Sequence, residues 1–433
     1  MGNRIKFDPE GSDKGWEFLS REERESRTFG RLKDILRYAA ERSPFYSALY
    51  KRHRFIPSDV KDLADFYENV PFINKTILMD EQAKDPPCGS LLTVPANDLA
   101  RLYYSPGPLL IVFSHEDLAA YVERAARGLF LAGARASDVV NITFNYNWVG
   151  AGTQHDDAYR LIGCAVLPGG AGMSETHIEL MKLTKTTVVS AFPTYAMHLS
   201  ETAVRMGIDP KNDLSVRLII IVGEIRKEED KQDLAEAFGA EIREMYVGNE
   251  MGFVGSECEH GGGMHLYSDT IVEVIDPETG KHVEEGHPGE IVTTDLHRKA
   301  MPIMHYRTGD VTEGITYEKC PCGRSTPKMK RILGRVGDIP RVKGMFIPPR
   351  RIELVLNAYD RLQKYQLVID RPEKKDRITI RIECPPGMQE EGLRRLLVEK
   401  LRIALGITPE IEFVLPETIS EGEPGILDKR TAG

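Results

Sequence analysis

The chain has 433 residues, of which 41% are hydrophobic and 28% are charged, and its net charge is −9 at pH 7. This is the composition of a globular protein long enough for two or three domains. The acidic balance argues against a nucleic-acid partner, and no apolar run approaches the roughly 20 residues of a membrane span. Six cysteines are too few for a disulfide framework. Because the amino terminus is too polar for a signal peptide, we expect a cytoplasmic protein that has no membrane partner.

The first part of the chain, residues 28–105, is predicted to be a helical lead-in, because apolar residues recur there at helical spacing. From residue 117 onward, predicted helices alternate with short apolar strands. The predicted helices are Asp117–Ala132, Thr153–Ile162, Ser174–Lys185 and Lys227–Phe238. The predicted strands are Val139–Phe144, Ala165–Pro168, Thr187–Phe192, Val216–Val222 and Ile242–Val247. This alternation predicts a parallel sheet that binds ligands at the carboxyl ends of its strands.

After residue 265 the pattern changes to antiparallel strands, with a predicted hairpin of Thr270–Ile275 and Gly289–Thr294. Near the carboxyl terminus, the predicted elements are strands Tyr365–Asp370, Arg377–Glu383 and Glu410–Leu415 and helix Glu390–Ala404. We therefore predict an α/β protein with a large domain, residues 1–336, and a small α+β lid domain, residues 337–433. The predicted hinge lies at Gly337-Asp338.

Short motifs follow one another in a fixed order along the whole chain. They are Ser43-Pro-Phe-Tyr46, Val70-Pro-Phe-Ile-Asn-Lys75, Phe192-Pro-Thr-Tyr195, Val222-Gly-Glu224, Tyr246-Val-Gly-Asn-Glu250, His305-Tyr-Arg-Thr-Gly-Asp310 and Gly334-Arg335. No single motif is specific, but the ordered set resembles the phenylacetate–CoA ligase family of AMP-forming acyl-CoA synthetases. The resemblance implies an acyl adenylate made from ATP and a carboxylate, and then its transfer to coenzyme A. It also implies that the small domain rotates between the two half-reactions.

The resemblance assigns roles to residues near the nucleotide. Asp310 would bond the ribose hydroxyls, since a carboxylate accepts two donors at once, although it could be only a turn residue. Arg335 would lie near the ribose and phosphate, or else be a surface residue of the hinge. Tyr246 would lie against adenine, although a lone aromatic residue that ends a strand is more often part of the core.

Five further residues belong to the predicted catalytic and nucleotide site. Glu250 would hold Mg²⁺ near the phosphates, with Asn249 beside it as a hydrogen-bonding residue. Gly223-Glu224 ends a strand at the ligand edge, and Glu224 could equally cap the next helix. Lys343 is a further catalytic candidate.

The acyl pocket is predicted from two segments at the ends of strands. Its candidate residues are Phe144, Tyr146, Trp148, Pro193 and Tyr195. The alternative for the first segment is a loop that packs Trp148 under the sheet.

Three cysteines and a histidine make a candidate metal centre. Cys258 and His265 flank a glycine-rich loop, and Cys320-Pro-Cys322 lies in a later loop. Three thiolates and an imidazole form the usual tetrahedral set of structural zinc, and the family often carries the same pattern. His260 is the alternative fourth ligand.

The sequence departs from the family pattern at two places. The family's phosphate loop, Ser-Ser-Gly-Thr-Thr-Gly-Lys-Pro, is reduced here to Ser105-Pro-Gly-Pro108, in which the prolines remove amide donors and no lysine remains. Glu423 stands where the family has its carboxy-terminal catalytic lysine. We therefore expect ATP-dependent adenylation of simple aromatic acids to be very slow or absent, because both changes affect the same developing charge.

Three functions are compatible with this sequence. The first is an acyl- or aryl-CoA ligase relative that binds ATP, AMP or CoA with Mg²⁺ and acts on a small carboxylate or an acyl-CoA. The second is a non-catalytic binding or regulatory homologue of the ligase fold. The third is nucleotidyl transfer to another acceptor. A homodimer is also left open.

Overall fold

A computed structural model of the chain describes residues 7–9, 15–105, 107–223, 228–342, 345–359, 362, 364–372, 376–385, 387, 391–420 and 425–431. The chain forms two compact units, Met1–Ile332 and Leu333–Gly433. The division lies a few residues before the predicted boundary at 336/337. Among the residues that the structure describes, no helix is both long and apolar enough to cross a membrane.

The helices of the described residues are, in chain order, α1 (Arg21–Arg42), α2 (Pro44–His53), α3 (Leu63–Asn69), α4 (Lys75–Lys84), α5 (His115–Leu131), α6 (Ala151–Ile162), α7 (Ser174–Thr184), α8 (Pro193–Arg205), α9 (Glu228–Phe238), α10 (Pro349–Leu356) and α11 (Glu391–Leu405). The strands are β1 (Ile73–Asn74), β2 (Leu99–Ser105), β3 (Leu109–Ser114), β4 (Val139–Ile142), β5 (Ala165–Pro168), β6 (Val188–Ala191), β7 (Leu218–Val222), β8 (Glu241–Gly248), β9 (Gly252–Ser256), β10 (Met264–Leu266), β11 (Thr270–Ile275), β12 (Gly289–Asp295), β13 (Tyr306–Thr312), β14 (Ile315–Thr316), β15 (Lys328–Met329), β16 (Ile332–Arg335), β17 (Arg341–Val342), β18 (Met345–Phe346), β19 (Tyr365–Asp370), β20 (Arg377–Glu383), β21 (Glu410–Val414) and β22 (Ile426–Asp428).

The main sheet of the large unit has the strand order β14-β15-β10-β9-β8-β7-β6-β4-β5. Strands β5, β4, β6, β7 and β8 are parallel, as the alternation of strands and helices predicts. Every residue of the apolar run Leu218–Val222 is buried, which is expected of a central strand covered on both faces. Beyond β8 the sheet continues with antiparallel strands. The carboxyl ends of β4, β6 and β7 therefore lie at one edge of the sheet, where the candidate site residues follow.

A second sheet of the large unit has the order β1-β13-β12-β11. Its β11 and β12 are the predicted antiparallel pair, with Thr270 opposite Asp295 and Ile275 opposite Glu290. Strand β1 pairs in parallel with β13, so that Ile73 lies opposite Tyr306 and Asn74 opposite Arg307. This pairing fixes the start of α4 beside the strand that carries Asp310.

The predicted helical lead-in is helical only up to Lys84, apart from short turns, and it ends in a strand. Strand β2 follows Asp98 and pairs with β3 in an antiparallel hairpin, in which Ser105 lies opposite Leu109. The run Leu102-Tyr-Tyr104 favours a strand because aromatic side chains suit a half-buried pleated surface. Helix α5 begins directly after β3, where Ser114 and Asp117 form a reciprocal capping box.

The small unit has the predicted α+β composition. Its sheet has the order β21-β20-β19-β22, with α10 and α11 contributing to one buried apolar core. Leu397, Leu401 and Leu405 of α11 recur at helical spacing and are buried in that core.

Candidate active site and metal centre

The position of the missing phosphate loop is a tight hairpin turn between β2 and β3. Ser105, the last residue of β2, donates a hydrogen bond from Oγ to Oε1 of Glu250 at 2.7 Å. Gly107 has a φ of 105°, a left-handed conformation that glycine adopts without strain. The turn therefore brings a hydroxyl to Glu250, and no extended loop of amide donors intervenes.

Lys75, the last residue of the Val70-Pro-Phe-Ile-Asn-Lys75 motif, lies at this turn, although no role was predicted for it. Lys75 Nζ donates to Ser105 Oγ at 2.9 Å and is 3.0 Å from Glu250 Oε1. The side chain of Lys75 is 34% exposed, so it lies at the rim of the cluster and not in the core. Asn249 Nδ2 is 3.5 Å from the same Ser105 hydroxyl. Four polar side chains from three distant parts of the chain thus form one cluster.

Local structure holds Lys75 in this place. Strand β1 ends at Asn74, whose Oδ1 accepts a hydrogen bond from the backbone of Ile77 at 3.0 Å and caps α4. Lys75 is therefore the first residue of α4, directly after the strand that pairs with β13. The sequence offered one signal for this role, namely the Val70-Pro-Phe-Ile-Asn-Lys75 motif itself.

Tyr246 and Asp310, two residues of the predicted nucleotide site, are in direct contact. Tyr246 donates its hydroxyl hydrogen to Asp310 Oδ2 at 2.7 Å. The ring of Tyr246 is buried among apolar residues of the β8–β15 region, so it is also a core residue, the alternative weighed from sequence. Burial, and then the neighbouring Asp310 carboxylate, raises the pKa of Tyr246 well above its usual value. The tyrosine therefore remains a neutral donor that orients Asp310.

The other predicted nucleotide residues are placed as follows. Gly223 follows β7 with a φ of 80°, and a Cβ there would lie 2.7 Å from the ring of Phe192, so glycine is required by both the backbone and the neighbour. Arg335 lies in the small unit, where its carbonyl accepts hydrogen bonds from the backbone of Asp338 at 3.1 Å and of Ile339 at 3.2 Å. The predicted residues Glu224, Lys343 and Glu423 lie outside the described residues.

The two predicted acyl-pocket segments meet at the carboxyl ends of β4 and β6. Phe144 is fully buried, and its ring centroid is 5.1 Å from that of Phe192, which directly precedes Pro193. The hydroxyl of Tyr195 is engaged outside this aromatic contact, since it donates to the carbonyl of Gly172 at 2.7 Å.

The rest of the first acyl-pocket segment lies closer to the surface. The ring of Tyr146 lies over the start of α6, where a Cβ on Gly152 would be 2.9 Å from it. Trp148 is 66% exposed, so the alternative, a loop that packs Trp148 under the sheet, is wrong. The Trp148 carbonyl accepts a hydrogen bond from the backbone N–H of Tyr104 at 2.8 Å, which holds the Trp148 backbone beside β2.

The four predicted metal ligands, Cys258, His265, Cys320 and Cys322, form one cluster with their ligand atoms within 4.8 Å of one another. Cys258 Sγ is 3.7 Å from Cys320 Sγ, and Cys322 Sγ is 3.5 Å from His265 Nε2. The set could hold a metal ion.

Neighbouring groups favour His265 as the histidine of this cluster. Its Nδ1 is 2.6 Å from Thr326 Oγ1, which leaves Nε2 facing the thiols. Burial lowers the pKa of His265 to about 4, so its imidazole is neutral at pH 7, the form that binds metals. His260, the alternative ligand, lies outside the cluster and pairs with Glu259 at 3.7 Å.

Comparison with known proteins agrees with this architecture. Residues 344–430 match the family model described as the AMP-binding enzyme C-terminal domain. The chain is 30% identical to the phenylacetate-coenzyme A ligase of Thermus thermophilus over 438 residues, which covers 95% of this chain and 97% of that ligase. It is 28% identical to the phenylacetate-coenzyme A ligase of Aromatoleum evansii over 434 residues, with 96% of each chain covered.

A solved structure resembles the chain over its whole length. The open conformation of 2-hydroxyisobutyryl-CoA ligase, in complex with 2-HIB-AMP and CoA, matches with a TM-score of 0.87 and 25% identity, covering 99% of this chain and 98% of that one. The ordered motifs, the adenylate-forming fold and the full-length similarity lead to one assignment. The chain belongs to the phenylacetate–CoA ligase family of AMP-forming acyl-CoA synthetases.

Proposed function

We propose that this protein makes a CoA thioester of a small carboxylic acid by way of an acyl adenylate, and that its adenylation step is slow. The cluster of Lys75, Ser105 and Glu250 carries the proposal, because it places a cation and a carboxylate where the family handles the phosphates of ATP. The relatives support the reaction class: they are named as phenylacetate-coenzyme A ligases, and the solved ligase holds an acyl adenylate and CoA.

Each end of the nucleotide has residues of suitable chemistry. The Asp310 carboxylate, oriented by Tyr246, would accept hydrogen bonds from ribose hydroxyls. The oxygens of Glu250, Asn249 and Ser105 are the hard ligands that Mg²⁺ prefers, so the donor set fits this ion. Glu250 Oε1 pairs with Lys75 Nζ at 3.0 Å. When nucleotide binds, the Lys75 ammonium would be available to a phosphate oxygen.

The same cluster explains why we expect slow adenylation. A hairpin that joins Ser105 directly to the Leu109 strand offers few amide donors to a leaving pyrophosphate, so Lys75 has to supply most of the compensating charge. Loss of one preorganised stabiliser typically costs about 10²–10³ in rate. The thioester-forming half of the reaction needs no pyrophosphate site and is expected to be less affected.

Pyrophosphate exchange with a panel of aromatic and short hydroxylated acids tests the adenylation half. We expect exchange well below the roughly 1 s⁻¹ at the low end of ordinary enzyme turnover, and a further loss of about 10²-fold in Lys75→Ala that Lys75→Arg partly restores. Lys84→Ala is the matched control, because Lys84 lies on the same helix and, within the part of the chain that the structure describes, pairs only with the neighbouring Glu81. Equal activity of Lys75→Ala and Lys84→Ala would reject the assigned role of Lys75.

A non-catalytic binding protein is the second candidate, and the shortened hairpin is the observation that favours it. The two candidates differ in the second half-reaction. We expect the protein to convert a supplied acyl adenylate and CoA into the thioester and AMP. A protein that binds the adenylate without forming thioester would support the second candidate.

We also propose that the Cys258–His265–Cys320–Cys322 cluster binds one structural Zn²⁺. Zn–S bonds of about 2.3 Å and Zn–N bonds of about 2.0–2.1 Å in a tetrahedron separate two sulfurs by about 3.8 Å and sulfur from nitrogen by about 3.5 Å. The distance of 3.7 Å between Cys258 Sγ and Cys320 Sγ and that of 3.5 Å between Cys322 Sγ and His265 Nε2 fit these values. Lys328 Nζ lies 3.8 Å from Cys320 Sγ and would offset the excess negative charge of three thiolates.

A further inference from the structure

Arg298 belongs to none of the sequence motifs. It contacts the candidate phosphate site, the cluster of Lys75, Ser105 and Glu250, from the buried side. Its side chain is 1% exposed, and its Nη1 donates to the backbone carbonyl of Glu250 at 2.7 Å. The guanidinium carbon lies 4.7 Å from the ring centroid of Phe113. Phe113 belongs to β3, the strand that pairs with the Ser105 strand. Arg298 therefore connects the two segments that carry Ser105 and Glu250.

The backbone around Arg298 is fixed on both sides. Asp295 accepts the backbone N–H of Arg298 at 3.1 Å, and Arg124 binds the same carboxylate at 2.9 Å. Buried Asp117, at the start of α5, accepts the backbone N–H groups of Lys299 at 2.7 Å and Ala300 at 2.9 Å. The guanidinium is thus held at a defined place relative to Glu250.

The charge of Arg298 is only partly compensated. Its Nε is 3.6 Å from Asp295 Oδ2, and among the described residues neither Nε nor Nη2 has a hydrogen-bond acceptor. A buried guanidinium with unmatched donors destabilises the fold relative to an apolar residue of similar size. Such a group is retained without a stability benefit, which is consistent with a role in the site that it contacts.

We propose that Arg298 is a positioning residue that fixes the backbone of Glu250, so that the Glu250 carboxylate meets Lys75, Ser105 and the Mg²⁺ of bound nucleotide. This inference rests on the proposed function of the Lys75–Ser105–Glu250 cluster. It predicts that Arg298 affects the triphosphate end of the nucleotide, and that it leaves the adenosine end at Tyr246 and Asp310 unaffected. Residues that orient a metal ligand typically contribute about 10–100-fold to metal affinity or activity.

Calorimetry with two ligands tests this separation. For Arg298→Met we expect affinity for ATP with Mg²⁺ to fall about tenfold or more, and affinity for AMP to stay within about threefold. Arg298→Lys keeps the charge and one donor and should recover most of the loss. Arg127→Met is the control for removing a largely buried arginine from the same unit, because the Arg127 side chain is 13% exposed and pairs with Asp269.

The outcomes separate the inference from the proposed function. Wild-type protein that binds no ATP with Mg²⁺ would reject both. Wild-type binding with equal losses for ATP and AMP in Arg298→Met, or with no loss, would reject the positioning role alone. If Arg298→Met does not fold, Phe113→Leu removes the aromatic surface under the guanidinium while keeping Arg298. It should weaken ATP with Mg²⁺ and spare AMP, and an unchanged ratio of the two affinities would overturn the inference.

Discussion

Replacing one ligand of the proposed zinc site should loosen the amino-terminal segment as well as the site itself. The loop that carries Cys320 and Cys322 continues to Ser325, which binds the segment before α1. Ser325 N donates to the carbonyl of Glu17 at 2.8 Å, and Ser325 Oγ donates to that of Leu19 at 2.7 Å. Arg24 Nη1 donates to Ser325 Oγ at 2.8 Å. Because zinc would fix this loop, Cys320→Ser is expected to weaken all three hydrogen bonds.

The size of the effect follows from these contacts. A hydrogen bond contributes about 1 kcal/mol net, so three of them amount to about 3 kcal/mol before the burial of Trp16 is counted. In domains of about 150–250 residues, 1 kcal/mol shifts the melting temperature by about 2–4 °C. Since the large unit is longer than that, we use the lower end and expect Cys320→Ser to melt about 6 °C below wild type.

Tryptophan fluorescence reports the amino-terminal segment directly. The sequence has two tryptophans, of which Trp16 is 6% exposed and Trp148 is 66% exposed, so Trp148→Phe leaves one buried reporter. In that background, Cys320→Ser or a strong chelator should shift the Trp16 emission to the red, while Cys164→Ser, a cysteine outside the cluster, should not. The reasoning fails if protein purified without added metal holds less than about half an equivalent of zinc, or if Cys320→Ser keeps wild-type emission.

Two further predictions concern other residues. Asp310→Ala should weaken AMP binding in calorimetry by about tenfold or more, because hydrogen bonds to a charged group contribute about 1.5–3 kcal/mol, and Tyr246→Phe should have a smaller effect. Burial lowers the pKa of His155 from 6.5 to about 4, so the unfolded chain binds the proton more tightly and stability is lost as pH falls from about 6.5 to about 4. Between pH 7 and pH 5, the free energy of unfolding of the wild type should fall by about 2 kcal/mol more than that of His155→Leu, as measured by urea unfolding. An equal pH dependence in the two proteins would contradict the burial argument.

In the parallel half of the large unit, every strand and four of the five helices could be predicted to within a few residues, whereas helix α8 (Pro193–Arg205) was not predicted. Buried strands such as Leu218–Val222 are continuous apolar runs, and the amphipathic helices between them have clear periodicity. Some predicted ends were wrong by a few residues, because capping decides where a helix begins. Helix α5, for example, begins at His115, directly after the capping residue Ser114, and not at Asp117. The four candidate metal ligands could be recognised in the sequence because zinc sites use few residue types, and the structure brings them into one cluster even though Cys258 and Cys320 come from distant loops.

The phosphate end of the site was predictable only in part, and the reason is geometric. Ser105, Glu250 and their motifs are visible in the sequence, but Lys75 and Arg298 reach them through β1–β13 pairing and the packing of Phe113, which local periodicity does not encode. The motifs therefore show that the lysine of the family's phosphate loop is missing, but they do not show that Lys75 lies beside the turn. Charge counted along the chain differs from charge at the site, because the Lys75 ammonium reaches the Ser105 turn from another segment. If Lys75→Ala abolishes the residual exchange while Lys84→Ala does not, the phosphate site has kept a cation on a different segment.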